Sequence, residues 1–495
     1  MELQFNKSVF PCLRKVVSQK QDQELTQEVK LPEAMPDIGR ILCSWGQVII
    51  RGKEWRSGGM TVSGGIMAWV LYAPEDGSDA KGIEAWIPFQ QKWEFPETMR
   101  DGTIRVFPYL KAVDSRSISA RKIMLRAGIC LVGEAYEPVE VNMYSPSEVP
   151  EDVQLLKKLY PMEIPQEAGE KAFHVEDEIA LQATAAKILH YEIIPRITER
   201  KVMAGKLVFR GACRVHLLYA GEDGMVNTVD FEITFSQLSD LDRDYGPNAT
   251  ADINAVVTGT EMELNDEGKM LVKCGLAAQY VICDRQMIEI VEDAYSNSRN
   301  LDMHIDMLRL PVCLDAVDAV VACSETVRGD CQRIMEVSAL WSCPDVHNSE
   351  NKADIEIPGQ LQVLYINETG GMEAATVRTE GKCSIASDPN SQIQLQLHAA
   401  APVAVPGPDG ISVSSEIGVE MLVSTEQELQ MVTALELGEV KEPDPARPSV
   451  VLRATENKSL WELAKVCGST VDAICTANHL EQEPVSNQIL LIPVQ

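Results

Sequence analysis

The sequence repeats itself with a fixed period, and this repeat limits the possible folds more than any other feature. Equivalent residues of the first two copies are 147 residues apart: Ile41 and Ile188, Gly58 and Gly205, Gly64 and Gly211, Tyr72 and Tyr219, Gly128 and Gly275. A less similar third copy follows, because Ile334 and Tyr365 lie 146 residues beyond Ile188 and Tyr219. A constant offset through separate segments is hard to obtain by chance, so the chain contains two or three related modules.

Each copy has the pattern of β-sheet. The segments "TVSGGIMAWVLYA" (61–73) and "LVFRGACRVHLLYA" (207–220) are rich in Val, Leu and Tyr and partly alternate. Glu-Asp-Gly turns follow at 75–77 and 222–224. The sequence therefore predicts a mainly β protein of two to three tandem antiparallel modules, each a β-sandwich or open barrel.

We place the module boundaries by the repeats and by the polar segments between them. The modules are predicted at 22–145, 173–295 and, in degenerate form, 313–438. The segment 146–172 is predicted to be a polar linker with a short helix at "PSEVPEDVQLLKKLY" (146–160), and 296–312 a second linker of the same kind. A proline-rich linker at 439–448 should be extended and exposed.

Charge and cysteine content narrow the possible partners and the compartment. The formal net charge is −30, which argues against nucleic acid as a main partner and against anionic membrane surfaces. No run of 18 apolar residues is present, so no membrane span is predicted, and the first residues do not resemble a secretory signal. The 13 cysteines form no C-x-x-C pair, which is typical of free thiols in a reducing cytosol.

Motifs for catalysis are missing from the sequence. The 7 histidines never form H-x-x-x-H or H-E-x-x-H, and no G-x-S-x-G, Walker A or strand-linked G-x-G-x-x-G occurs. His216 lies between Val215 and Leu217 in a predicted strand, so we expect a sheet-face or core histidine rather than a ligand. We therefore predict a protein that is not an enzyme and has no cofactor and no metal. A cryptic enzyme stays possible, and a cluster of perturbed Asp, Glu and His in a deep pocket would favour it.

The last segment, 449–495, is predicted to be a small domain of the order β-α-α-β. Ser459 and Glu462 fit a capping box at the start of the first helix. Gly468 stands where a left-handed residue ends that helix, and Ser469 or Thr470 would cap the second.

The modules resemble the SPOCS domain of spore-forming bacteria. The first copy carries the full pattern: Leu31-Pro32, Pro36-Asp37-Ile38, Tyr72 and Ile87-Pro88-Phe89. The second copy keeps Leu218-Tyr219 and the third keeps Leu364-Tyr365. The resemblance covers most of 22–440, and it implies a fold rather than a chemistry.

The C-terminal segment resembles a LysM domain, a family that binds glycans containing N-acetylglucosamine. Leu460-Trp461, Asn478-x-Leu480 and the Ile-Pro ending match the family, whereas Asn457-Lys458 replaces its Gly-Asp. In the family, the loop before the first helix and the loop after the second form the sugar groove. The residues on these two loops that we expect to carry binding, to protein or to glycan, are Asn457, Lys458, Ser459, Leu460, Asn478, His479 and Leu480.

SPOCS modules followed by one LysM domain resemble SipL-like spore coat morphogenetic proteins. The resemblance implies a non-enzymatic adaptor in the mother-cell cytoplasm, at the forespore or spore coat surface. Its LysM domain would dock on a SpoIVA-like coat ATPase. The alternative is a protein whose LysM domain binds peptidoglycan.

Overall fold

The chain is mainly β, as predicted. The computed structural model describes residues 2–96, 101–265, 269–442, 447–456, 458–481 and 488–494. These residues form strands β1 (Glu2–Leu3), β2 (Phe5–Lys30), β3 (Ile38–Arg56), β4 (Gly59–Pro74), β5 (Lys81–Glu94), β6 (Thr103–Ser119), β7 (Lys122–Pro146), β8 (Val153–Ala180), β9 (Ala185–Met203), β10 (Lys206–Gly221), β11 (Val226–Asp240), β12 (Thr250–Leu264), β13 (Lys269–Ser296), β14 (Arg299–Val327), β15 (Cys331–Trp341), β16 (Asp345–Asn348), β17 (Lys352–Asn367), β18 (Met372–Ala386), β19 (Gln392–Ala399), β20 (Val403–Gly407), β21 (Gly410–Val440), β22 (Val450–Ala454) and β23 (Ile489–Pro493), and helices α1 (Leu460–Cys467) and α2 (Val471–Asn478).

The same antiparallel topology occurs three times. In the first module the sheet β3-β4-β5 faces the sheet β2-β7-β6, and in the second β9-β10-β11 faces β8-β13-β12. In the third module β17 pairs with β15, β16 and β18, while β14, β19 and β20 pair with β21. The third copy therefore keeps the strand order but divides two of its strands, which is consistent with its weaker sequence similarity.

The repeated glycines serve two purposes. Gly58 and Gly205 have φ of 83° and 64°, so they form the left-handed turns predicted before the second strand of each module. At Gly64 and Gly211 the reason is space, because a Cβ would collide with a backbone carbonyl oxygen of the neighbouring strand. The repeat thus preserves both a turn and a close approach between strands.

The helix predicted at 146–160 is wrong, and the segment 296–312 is not a separate linker. Residues from Val153 onward belong to β8, and residues from Arg299 onward belong to β14. Lys158 pairs with Ile290 of β13, so the segment's backbone hydrogen bonds go to a strand more than 100 residues away. Long-range pairing has outweighed local helix propensity here.

These paired segments form a structure that we call the trunk. It consists of three two-stranded arms, in which 5–15 pairs with 136–146, 153–165 with 283–296, and 299–313 with 424–440. All three arms contribute to one buried apolar cluster, which includes Cys12, Met162, Ile164, Ile288, Ile290, Leu308, Leu310, Val312, Leu429 and Met431. The trunk therefore joins the modules through a shared core.

The modules also meet at a set of buried polar side chains, which we call the charge cluster. Arg105, which is fully buried, places Nη1 2.6 Å from Asp252 Oδ2 and Nη2 3.1 Å from Asn254 Oδ1. Asp252 also accepts hydrogen bonds from Gln394 (2.7 Å) and Gln396 (2.8 Å) of the third module. All three modules therefore contribute side chains to a single interior network.

The cysteines and the helices bear on two further expectations from the sequence. All thirteen cysteines are free thiols, as predicted. Neither of the helices in the described part of the chain has the length and apolar character needed to cross a membrane.

Candidate functional sites

The C-terminal unit, 447–494, has its elements in the order strand, helix, helix, strand. Strands β22 and β23 pair antiparallel, and α1 and α2 cover one face of this pair. The predicted capping box between Ser459 and Glu462 is confirmed, Gly468 ends α1 with φ of 64°, and Thr470 caps α2. The unit has a small core, which Tyr295 of β13 joins, formed by Leu460, Leu463, Ala464, Ile474, Leu490 and Ile492.

The predicted binding residues are divided between the surface and this core. Lys458, Ser459 and His479 are exposed, and His479 ends α2 in the left-handed conformation with φ of 56°. Leu460 is buried in the core, and Leu480 packs against the core from its edge. The side chains of Leu460 and Leu480 therefore contribute more to folding than to a binding surface. Asn457 lies outside the described residues.

Asn478 holds α2 to β23. Its amide nitrogen donates to the carbonyl oxygens of Ile474 (2.8 Å) and Leu491 (2.6 Å), and its oxygen accepts from the Leu491 N–H (2.8 Å). Because these bonds occupy the side chain, Asn478 shapes the loop that follows α2 and has little capacity left for a ligand.

The C-terminal unit packs on the end of the trunk. The Trp461 indole N–H donates to Asp293 (2.8 Å), and Lys465 pairs with the same carboxylate at 2.6 Å. Tyr295 stands edge-on to Trp461 at 4.8 Å between ring centroids and donates its hydroxyl to the Ser469 carbonyl oxygen. Burial, followed by the charge of Asp293, raises the pKa of Tyr295 to about 12. Trp461 is thus committed to an internal contact.

The opposite side of the unit exposes apolar side chains. Val450, Leu452, Ile489 and Leu491 alternate along β22 and β23, and their exposed fractions are 46%, 67%, 68% and 38%. Their alternation and register place them on one side of the two-stranded sheet. We call this surface the C-terminal apolar face. Among the described residues, β22 and β23 pair only with each other.

A second candidate site lies where the modules meet, and we call it the histidine–glutamate cluster. His190 of β9 and Glu336 of β15 are 3% and 4% exposed, and His216 of β10 is mostly buried. Glu336 Oε1 lies 3.6 Å from His190 Nδ1 and 3.4 Å from His216 Nε2. One potential metal-ligand atom from each of these three side chains lies within 4.8 Å of the other two.

The surroundings fix both imidazole rings. Trp45 stacks on His190 with 4.6 Å between centroids and 6° between planes, while Trp69 meets the same ring edge-on. His216 Nδ1 lies 2.9 Å from Asp230 Oδ1. The site therefore combines a preset geometry with a supporting carboxylate.

The charges in this cluster are strongly coupled. Burial lowers the pKa of His216, but the carboxylates of Asp230 and Glu336 outweigh it and bring the pKa to about 10. Burial raises the pKa of Glu336, but the two histidines outweigh it and bring the pKa to about 2. Both shifts favour an ionised Glu336 carboxylate facing a cationic His216.

Sequence analysis missed this cluster, although the repeat contained a signal for it. Cys43, His190 and Glu336 occupy the same position in the three copies, at offsets of 147 and 146 residues. His216 is in turn equivalent to Trp69. Equivalent positions converge when modules pack around a common centre, so a comparison of the copies position by position would have indicated the cluster.

Comparison with known proteins identifies one part of the chain. The family model described as SipL, SPOCS domain, matches residues 184–265, which run from β9 to β12 of the second module. No curated protein and no solved structure matches the chain. Residues 184–265 of the second module are therefore similar to the SPOCS domain of SipL.

Proposed function

We propose that the chain is a non-enzymatic adaptor in spore coat assembly, and that its C-terminal unit docks a protein such as a SpoIVA-like coat ATPase at the forespore surface. The match of 184–265 to the SipL SPOCS domain supports a role in sporulation. The observation that carries the docking role is the C-terminal apolar face, since contiguous exposed apolar residues mark protein interaction sites.

The same unit is poorly equipped to hold a sugar. Aromatic rings are the usual platform for the apolar faces of sugars, and the ring of Trp461 packs against Tyr295 instead. The apolar face consists of aliphatic side chains, which suit the core of a protein interface. Asn478 occupies the backbone of Leu491 on β23, but among the described residues β22 pairs with no strand other than β23 and so also offers an edge to a partner strand. A protein partner is therefore favoured over peptidoglycan.

The location follows from the same proposal. A docking site for a coat ATPase would be used in the mother-cell cytoplasm, and thirteen free cysteines suit a reducing compartment.

The test uses the full chain and a purified SpoIVA-like ATPase. The double variant Leu452→Ser, Leu491→Ser should weaken binding by at least about tenfold, because central apolar contacts dominate interface energies. The matched control is Leu159→Ser on β8, where the side chain is 60% exposed but far along the sequence from the C-terminal unit. Equal binding of the double variant and the control would contradict docking through this face.

A parallel experiment distinguishes protein from glycan. The full chain and its Lys458→Glu and His479→Ala variants are each sedimented with purified peptidoglycan. Lys458 lies just before α1 and His479 just after α2, and both are exposed. We expect no sedimentation of any form. Retention of the wild type that is lost in the two variants would replace the adaptor with a wall-binding protein.

A further inference from the structure

We propose that His190, His216 and Glu336 bind one divalent transition-metal ion, Zn²⁺, at the junction of the second and third modules. Two imidazole nitrogens and one carboxylate are a ligand set that zinc accepts, with a fourth position left for water. The site is independent of the C-terminal unit, so it is tested separately from the docking function.

Two of the three distances between ligand atoms suit a tetrahedral ion, and the third is within 4.8 Å. Zinc–nitrogen bonds of about 2.0–2.1 Å place neighbouring ligand atoms about 3.4 Å apart. Glu336 Oε1 lies 3.4 Å from His216 Nε2 and 3.6 Å from His190 Nδ1. The ligand atoms would therefore need only small side-chain movements to reach zinc.

Apart from the ion pairs that they form with one another, the ligand atoms have no partner among the described residues. His190 Nδ1, His216 Nε2 and both carboxylate oxygens of Glu336 are buried without a hydrogen-bond partner. A buried polar atom without a partner costs about 1–3 kcal/mol, and a charged one costs more. Four such atoms that converge on one point are expected at a ligand site and are unusual in a purely structural core.

The second layer of contacts has the form found around bound zinc. Asp230 accepts a hydrogen bond from His216 Nδ1 at 2.9 Å, which leaves Nε2 facing Glu336. A carboxylate behind a metal-binding histidine fixes its tautomer and raises its basicity. Trp45 holds the His190 ring by stacking, so neither imidazole is free to turn away.

A cavity reaches one of the three ligands, His190. It has a volume of about 260 Å³, and His190, Cys43, Trp45, Ser44 and Gln362 are among its lining residues. Its polar side chains can hold a water molecule beside His190. Because His190 and His216 come from the second module and Glu336 from the third, zinc would cross-link two modules.

Metal content of the full chain is the first measurement. The purified protein is stripped with a chelator, dialysed against ZnCl₂ and analysed by plasma mass spectrometry, with thermal unfolding followed in parallel. We expect one zinc per chain and a higher midpoint of unfolding with zinc, because an ion that binds only the folded state stabilises it. Less than stoichiometric zinc, or an unchanged midpoint, would leave the cluster as an ion pair and overturn the proposal.

Variants locate the ion. Glu336→Gln and His190→Asn should each weaken zinc binding by more than about 100-fold, while Asp230→Asn should weaken it by about 10–100-fold. The matched control is His398→Asn, since His398 faces Glu420 at 3.6 Å in a similar pair outside the cluster. Zinc binding that persists in folded Glu336→Gln, or that is lost in His398→Asn, would place the ion elsewhere.

Cobalt provides a readout that does not depend on stability. Co²⁺ bound by the wild type should show the intense visible absorption of a four-coordinate ion, and Glu336→Gln should abolish it. Circular dichroism shows whether each variant is folded. The weak spectrum of six-coordinate Co²⁺ in the wild type would contradict the proposed ligand set.

Discussion

The charge cluster and the histidine–glutamate cluster are two buried polar groups at the same kind of place, where modules meet. Arg105 has acceptors for both of its terminal nitrogens, and both oxygens of Asp252 accept hydrogen bonds. By contrast, Glu336 has no hydrogen-bond partner for either oxygen among the described residues. The charged groups of the first cluster are paired with each other, although Arg105 Nε and Gln394 Oε1 are buried without a partner. In the second cluster both oxygens of the carboxylate are left over. Buried polar side chains can thus hold modules together or bind a ligand. A charged group whose oxygens all lack hydrogen-bond partners points to the second role.

The two clusters also show how a repeat tolerates polar residues near its centre. Arg105 and Asp252 occupy the same position in two copies, as do His190 and Glu336. Identical charges at such positions would face one another in a low-dielectric interior and repel. Divergence to opposite charges converts this repulsion into an attraction between modules.

Breaking the charge cluster should have the largest effect on stability. Arg105→Met leaves Asp252 buried without its cation, so the free energy of unfolding should fall by about 3–5 kcal/mol. Urea denaturation followed by circular dichroism measures this loss. The control is Arg126→Met, which removes an exposed pair with Glu24 and should leave the midpoint unchanged.

The double variant Arg105→Met, Asp252→Leu sharpens this prediction. Removing both charges should restore part of the lost stability, because no charge is then left buried alone. A double variant that is less stable than Arg105→Met would show that the charge of Asp252 is not the source of the loss.

A substitution in the apolar core of the trunk should have the next largest effect on the free energy of unfolding. Ile164→Ala should lower the free energy of unfolding by about 3 kcal/mol, since Ile164 is fully buried between the arms. Leu159→Ala on the same strand, at a side chain that is 60% exposed, should have almost no effect. Similar urea midpoints for the two variants would contradict the trunk as a shared core.

The smallest effect is expected where the C-terminal unit meets the trunk. Asp293→Ala removes the acceptor of Trp461 and the partner of Lys465, which should cost about 1 kcal/mol and should loosen only this unit. Hydrogen exchange of α1 and α2 amides should become faster while that of β4 is unchanged. Glu289→Ala, on the same strand and paired with exposed Lys157, is the control and should change neither.

Much of the local structure could be predicted from the sequence. Turn glycines such as Gly58, the capping box at Ser459 and the left-handed end at Gly468 depend on residues within a few positions of one another. The roles of residues in the C-terminal loops were harder to predict from the sequence. The motif that includes Leu460 and Asn478 suggested a binding surface, but burial and hydrogen bonds make both of them structural.

By itself, the sequence determined the repeat, the β character of the modules and the order of elements in the C-terminal unit, because periodicity and turn chemistry are local. Tertiary structure alone decided that 153–160 is a strand, since its partner lies in β13. The same holds for the meeting of His190, His216 and Glu336, which are up to 146 residues apart. Contacts over such separations depend on how whole modules pack, and no short stretch of sequence contains that information.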